Sequence, residues 1–92
     1  MTEKTDTITV QLSKPISFNG ETATSLTFRE PTAGDICLGD MVEGQFQKSL
    51  AIMAGMAGIT LPLMKEVSAR DLRRIEKEAA PFLEALVEAM DG

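Results

Sequence analysis

Hydrophobic residues early in the chain recur at every second position. In TITVQLS, Ile8, Val10 and Leu12 share one side while Thr7, Thr9 and Gln11 take the other. That period predicts a half-buried strand. A second strand is expected near Thr22 to Arg29, with Leu26 and Phe28 on one face, and Asn19-Gly20 between the two runs offers a hairpin turn. Parity constrains that turn. A two-residue turn would put Ile8, Val10 and Leu12 on the same face as Thr27 and Arg29, because a slip of one residue exchanges the faces of a strand. A three-residue loop, Phe18-Asn19-Gly20, with Gly20 left-handed, sets Leu12 opposite Leu26 and Val10 opposite Phe28, and is the expected arrangement. Pro15 inside the first strand predicts an edge position or an interruption. Residues 1–6 are expected to form a loose tail.

After Arg29 the period changes from two to that of a helix. Pro31 halts strand pairing, and Thr32 can cap a helix with Asp35 at its third position. Ile36, Gly39 or Asp40, and Val42 make this helix short and weakly amphipathic, ending near Gly44. A second helix is expected from Gln45 to Gly58. Phe46, Leu50, Met53 and Ala57 lie on one of its faces and Ile52, Met56 and Ile59 on another. Such a helix, apolar nearly all round, is central or covered by a partner. Ala51 and Gly55, like Ala54 and Gly58, are small residues four apart, which permit close helix approach within or between chains.

The segment Gly58-Ile-Thr-Leu-Pro62 ends that helix. The last one is expected to start at Ser68, with Asp71 three residues on. Its apolar stripe is Leu72, Ile75, Ala79, Phe82 or Leu83, Leu86 and Met90, and Pro81 predicts a kink or break near Glu78 to Ala80. A lone hairpin is marginal in water and needs a cover. The expected fold is therefore α+β: an N-terminal β-hairpin (7–30) and three or four α-helices (32–92) packed on it, in a single small domain spanning 1–92.

Composition narrows the chemistry. The 92 residues include six Met and four Phe but no Trp, Tyr or His. Methionine adapts to irregular surroundings, which suits either core filling or a re-packing contact face. The net charge is −5, and Asp71, Glu76 and Glu78 interrupt the nearest approach to a basic cluster, Arg70, Arg73 and Arg74. Nucleic-acid binding, which needs a basic face, is not expected. Cys37 is the sole cysteine, so no intramolecular disulfide can form; between Ile36 and Leu38 it is expected to be a small buried thiol. The opening MTEKTDT is unlike a secretory signal. Residues 49–64, SLAIMAGMAGITLPLM, are uncharged but fall short of the ~20 apolar residues of a membrane span and contain Gly55, Gly58 and Pro62.

Without His and with one Cys, the usual nucleophile–base pairs and zinc sites cannot be assembled. Asp35 with Asp40, and Glu84 with Glu88, are better explained by capping and solvation than by acid–base work. No calcium-loop pattern is present, and Gly34, Gly39 and Gly44 do not make a phosphate-cradling loop. No enzyme activity, cofactor or metal is expected. What remains is the Met-, Gly- and Ala-rich segment from Phe46 to Met64, which reads either as core or as a groove for an apolar helix of another protein.

The order of these pieces resembles the small tail assembly chaperones of Mu-like and related contractile-tailed phages. The hairpin with Asn19-Gly20, the junction LTFREPTAGD, a Met/Leu-rich helix ending Gly-Ile-Thr, and SARDLRRIEKEAAPFLE carry the resemblance, which spans about Thr7 to Glu88. It implies a non-enzymatic protein, encoded by a phage or prophage, that acts in the host bacterial cytoplasm. Such proteins bind the long, aggregation-prone tape measure protein and keep it soluble while tail tube protein polymerises around it. They are generally absent from the mature virion, and many exist also in a longer, frameshifted form. The resemblance transfers no site residues. From composition, the expected client-binding surface is Phe46, Leu50, Met53, Met56, Ile59, Leu61, Leu63 and Met64, with Leu83, Leu86, Val87 and Met90 of the last helix. Self-association is a further expectation. The alternatives are a structural tail component or adaptor retained in the virion, and an acidic regulator. The second is disfavoured because acidic residues are scattered from Glu3 to Asp91 among Lys and Arg.

Overall fold

A computed structural model describes residues 7–84. Two antiparallel strands, β1 (Thr7–Phe18) and β2 (Glu21–Arg29), precede four helices: α1 (Ala33–Gly39), α2 (Gln45–Ala57), α3 (Leu61–Met64) and α4 (Ala69–Glu78). The fold is α+β, as the two periods predict.

The hairpin corrects the expected loop. Phe18 pairs with Glu21, so the turn is the two-residue Asn19-Gly20, with φ of 54° and 90°. Positive φ at both central positions is the mark of a type I′ turn, whose twist matches that of the strands it joins. The register is corrected with it: Val10 faces Leu26 and Ile8 faces Phe28. Parity is restored in the strand instead of the turn. Between Gln11 and Ile16 the ladder slips, leaving Leu12 to Pro15 opposite Thr24 alone. Pro15, which has no N–H to give, falls inside this bulge. Val10, Ile16, Leu26 and Phe28 are all buried as a result.

The helices begin and end at recognisable residues. Thr32 and Asp35 form a complete capping box on α1. That helix stops at Gly39, earlier than the Gly44 expected, and Gly44 instead precedes α2 with φ 96°. At the other end of α2, Gly58 is left-handed (φ 71°); its N–H donates to the Gly55 carbonyl, and Ile59 N–H to that of Ala54. This bond pair is the Schellman ending that a positive-φ glycine permits. The single turn α3 was not expected. Thr60 caps it through Oγ1, and Pro62 sits in its first turn, where a missing N–H goes unnoticed.

The predicted break comes at Ala79, after α4, and residues 80–84 are helical again. The Ala79 carbonyl accepts from the N–H of Phe82 and of Leu83, each at 3.0 Å, so Pro81 lies in the first turn of the new helical piece.

The core joins Val10, Ile16, Leu26 and Phe28 of the hairpin to Leu50, Ile52, Met53 and Met56 of α2, Leu63 and Met64 of α3, and Ile75 of α4. Each large apolar side chain so buried contributes about 1.5–3 kcal/mol. α2 is the central element, packing on α1, α3 and β2, while α4 covers β1.

Candidate functional site

Two polar clasps hold the helices on the hairpin, and the first shapes the site. Arg29, at the end of β2, donates from Nη1 to Asp35 Oδ2 (2.6 Å) and from Nη2 to Asp35 Oδ1 (3.2 Å) and to the Gly55 carbonyl (2.9 Å). Asp35 also accepts the Thr32 N–H at 2.8 Å. One guanidinium thus ties β2, α1 and α2 together. The hydrogen bonds from Arg29 hold the Asp35 carboxyl below the usual carboxylate range against the opposing effect of burial, and the same contact raises the Arg29 pKa. This contact needs α1 and α2 very close. A Cβ at Gly55 would lie 2.6 Å from Asp35 Oδ1 and 2.9 Å from Leu38 Cδ1, so the small residue expected to permit close approach does so within the chain.

Beyond the clasp, α1 gives way to the 40–44 turn and an apolar groove opens. Leu38, Met41 and Val42 form one wall, Ala51 and Ala54 of α2 the floor, and Ile59, Thr60 and Leu61 the other wall. Its volume is ≈ 260 Å³, below the ordinary range for small-molecule pockets. Met41 is 77% exposed and Leu38 39% exposed, so two large apolar side chains stand at its lip. The groove offers van der Waals contact and apolar burial, with Thr60 the one side-chain hydroxyl in its lining.

The second clasp fixes α4. Asp71, fully buried, accepts the Ser13 N–H (3.1 and 3.0 Å to its two oxygens), the Ser13 hydroxyl (2.9 Å), the Lys14 N–H (3.4 Å) and Arg74 Nη1 (3.1 Å). Burial pushes its pKa up, but the donors from Ser13, Lys14 and Arg74 outweigh that and hold it below the usual range. Its oxygens take the strand N–H groups that the bulge leaves without a ladder partner.

The residues expected from composition to bind a client fall into different places. Leu50, Met53, Met56, Leu63 and Met64 are buried in the core. Ile59 and Leu61 are half-buried and line the groove. Phe46 is 59% exposed near the start of α2, outside the groove lining. Leu83 is partly buried against the core, and Leu86, Val87 and Met90 lie outside the described residues. The groove walls Leu38, Met41 and Val42 were not anticipated, because the pattern put Met41 and Val42 inside a helix running to Gly44, whereas α1 stops at Gly39 and leaves them in the turn that follows. Cys37 is corrected too. It is exposed, because Asp35 and Gly39 occupy the side of α1 that meets α2.

Among the described residues no group of His, Cys, Asp or Glu is arranged to hold a metal, and no helix is long and apolar enough to cross a membrane. A family model described as phage tail assembly chaperone proteins, E, or 41 or 14 matches residues 9–84. The chain belongs to the phage tail assembly chaperone family. The matched span runs from β1 into the helical residues after Ala79 and so includes both clasps and every residue of the groove in this chaperone. Among curated proteins and solved structures, no significant match to the chain is found.

Proposed function

We propose that this tail assembly chaperone acts without catalysis, binding the tape measure protein in the host cytoplasm and keeping it soluble while the tail tube is built, then leaving before the virion is complete. The apolar groove between α1, α2 and α3 is the observation that carries this reading. A helical client segment can set apolar side chains at i, i+3 or i+4 spacing into such a groove. Met41, flexible and polarizable, adapts to side chains of differing shape, which suits a long helical client that presents different apolar side chains along its length. The net charge of −5 disfavours association between copies while the client is held.

The test is co-expression with the tape measure protein of the same genome, reading soluble client and co-purification. Met41→Asp places a charge at the lip of the groove on a residue the fold leaves exposed. Wild type is expected to solubilise and co-purify with the client, and the folded Met41→Asp variant to lose most of both. Recovery of the protein from purified virions, or a client indifferent to its presence, would overturn the reading.

A further inference from the structure

On the far side of α4 from the core, Arg70, Arg73, Arg74 and Lys77 line one shallow concavity together with Ala69. At about 100° per residue the four cations occupy roughly a quarter to a third of the helix circumference, opposite Ile75 and Ala79. The sequence suggested that acidic neighbours dilute them. The fold removes Asp71 from that surface by burying it against Ser13, and Glu76 and Glu78 project to either side. A continuous cationic stripe is left on a protein of net charge −5.

Within the chain this stripe is unfavourable. Arg70 lies in the first turn of α4, where the helix dipole repels a cation. Arg70 with Arg74, and Arg73 with Lys77, are like charges at i,i+4 spacing, which destabilise a helix by a few tenths of a kcal/mol per pair. Arg74 is used by the fold, donating to the Gln11 carbonyl (2.8 Å) and to Asp71. The side chains of Arg70, Arg73 and Lys77 make no hydrogen bond or ion pair among the described residues. Arg70 at the helix start and the two like-charge pairs break local rules on one face, and among the described residues the Arg70 and Arg73 side chains find no partner that offsets this, the pattern expected of a surface shaped for something else.

We propose that the α4 stripe docks an acidic helical segment of a partner protein. From Arg70 to Lys77 the stripe runs about 10 Å along the axis, so carboxylates at i, i+4 and i+7 of a second helix match its length. Its width decides the class of partner. Glu76 and Glu78 border it on both sides, and the rest of the chain is strongly acidic, so a nucleic-acid backbone broader than one helix face meets repulsion at the edges. The stripe is separate from the apolar groove, and the two stand or fall independently.

The probe is a labelled alanine-based helical peptide carrying Glu at i, i+4 and i+7, with a Gln counterpart and a single-stranded DNA of similar length as controls, followed by fluorescence polarisation. The wild type is expected to bind the Glu peptide, more weakly as salt rises, and to leave both controls unbound. The triple variant Arg70→Gln, Arg73→Gln, Lys77→Gln is expected to bind it about tenfold more weakly, at a few tenths of a kcal/mol per screened surface pair, with a Tm equal to or above wild type. Met41→Asp is expected to bind the peptide as wild type does. No binding of the Glu peptide, equal binding by the triple variant, tighter binding of the DNA, or a lowered Tm that marks the stripe as structural would each overturn the proposal.

Discussion

The two ends of the molecule use the same four-residue phrase to different ends. Thr32-x-x-Asp35 opens α1 and Ser68-x-x-Asp71 opens α4, and in both the hydroxyl accepts the N–H of the aspartate three residues on, at 3.2 Å. The carboxylates then part company. Asp35 reaches back to the Thr32 N–H, closing a local box, and adds Arg29 from the strand end. Asp71 makes no bond back to its own N-cap N–H and reaches instead to the bulge of β1, 58 residues distant in sequence, while accepting from Arg74 one turn on. One motif gives a closed cap whose carboxylate also pairs with a half-exposed arginine from the nearby strand end, the other a fully buried joint to a distant strand. The environment of each carboxylate, and not its sequence context, sets how much of the fold depends on it.

That difference is open to being broken. Asp71→Ala should be the most damaging single change, because it removes a fully buried carboxylate and leaves the Ser13 and Lys14 N–H groups of the bulge without their acceptor. A fall in Tm on the order of 10 °C or more, or failure to fold, is expected in thermal unfolding. A Tm within a degree or two of wild type would mean that water replaces the carboxylate at the bulge. Acid should act on the same joint. Both Asp35 and Asp71 have folded pKa values below their unfolded value, which is about 3.9. Their contribution is therefore complete above that pH and is lost as pH falls through the depressed folded values. Urea midpoints should be level from neutral pH down to about pH 5 and then decline, and Asp71→Asn and Asp35→Asn should each flatten that decline.

The hairpin, the helix starts at Thr32 and Ser68, the end of α2 at Gly58 and the break before Pro81 were legible because each is fixed by residues within a turn or two of one another. The bulge was not. Asn19-Gly20 favoured a two-residue turn and parity forbade it, and the resolution required Asp71 to come from the other end of the chain. The groove was half legible for a similar reason. Met53 and Met56 look no different from Met41 in sequence, yet the central position of α2 buries the first two while the 40–44 turn leaves the third at a groove lip. Ile59 and Leu61 of its lining were already named from composition; Leu38 and Val42 needed the placement of α1 against α2.

Gly55→Ala tests that placement and should rank second. The added Cβ would sit 2.6 Å from Asp35 Oδ1, so α1 must move away or the Arg29 clasp must open. Overpacking of this kind costs about 1–3 kcal/mol. Because α1 carries Leu38 to the groove wall, client binding should fall along with stability. Gly39→Ala is the milder comparison: its Cβ would meet the flexible end of Ile52 at 3.0 Å. Asp35→Asn should rank below Gly55→Ala, at about 1–2 kcal/mol, since Arg29 keeps its bond to the Gly55 carbonyl and faces water on its other side. If Asp35→Asn proved as damaging as Asp71→Ala, the contrast between local cap and tertiary joint would collapse.

The smallest effects sharpen the comparison most. Thr32→Ala and Ser68→Ala remove hydroxyls that make the same bond at the same 3.2 Å distance, so each should cost about 1 kcal/mol, the usual value of an N-cap. Their coupling to the carboxylates should differ. In α1 the hydroxyl and the carboxylate of Asp35 brace one another across a single turn, so Thr32→Ala combined with Asp35→Asn should destabilise less than the two changes taken separately. In α4 the Asp71 oxygens are held by Ser13, Lys14 and Arg74 whether or not Ser68 keeps its hydroxyl. Ser68→Ala combined with Asp71→Asn should therefore come closer to the sum of its parts, within about 0.5 kcal/mol. Equal coupling in the two double-mutant cycles would mean that Asp71 depends on its own cap as Asp35 does, and that the bulge is a consequence of the helix start and not an independent anchor for it.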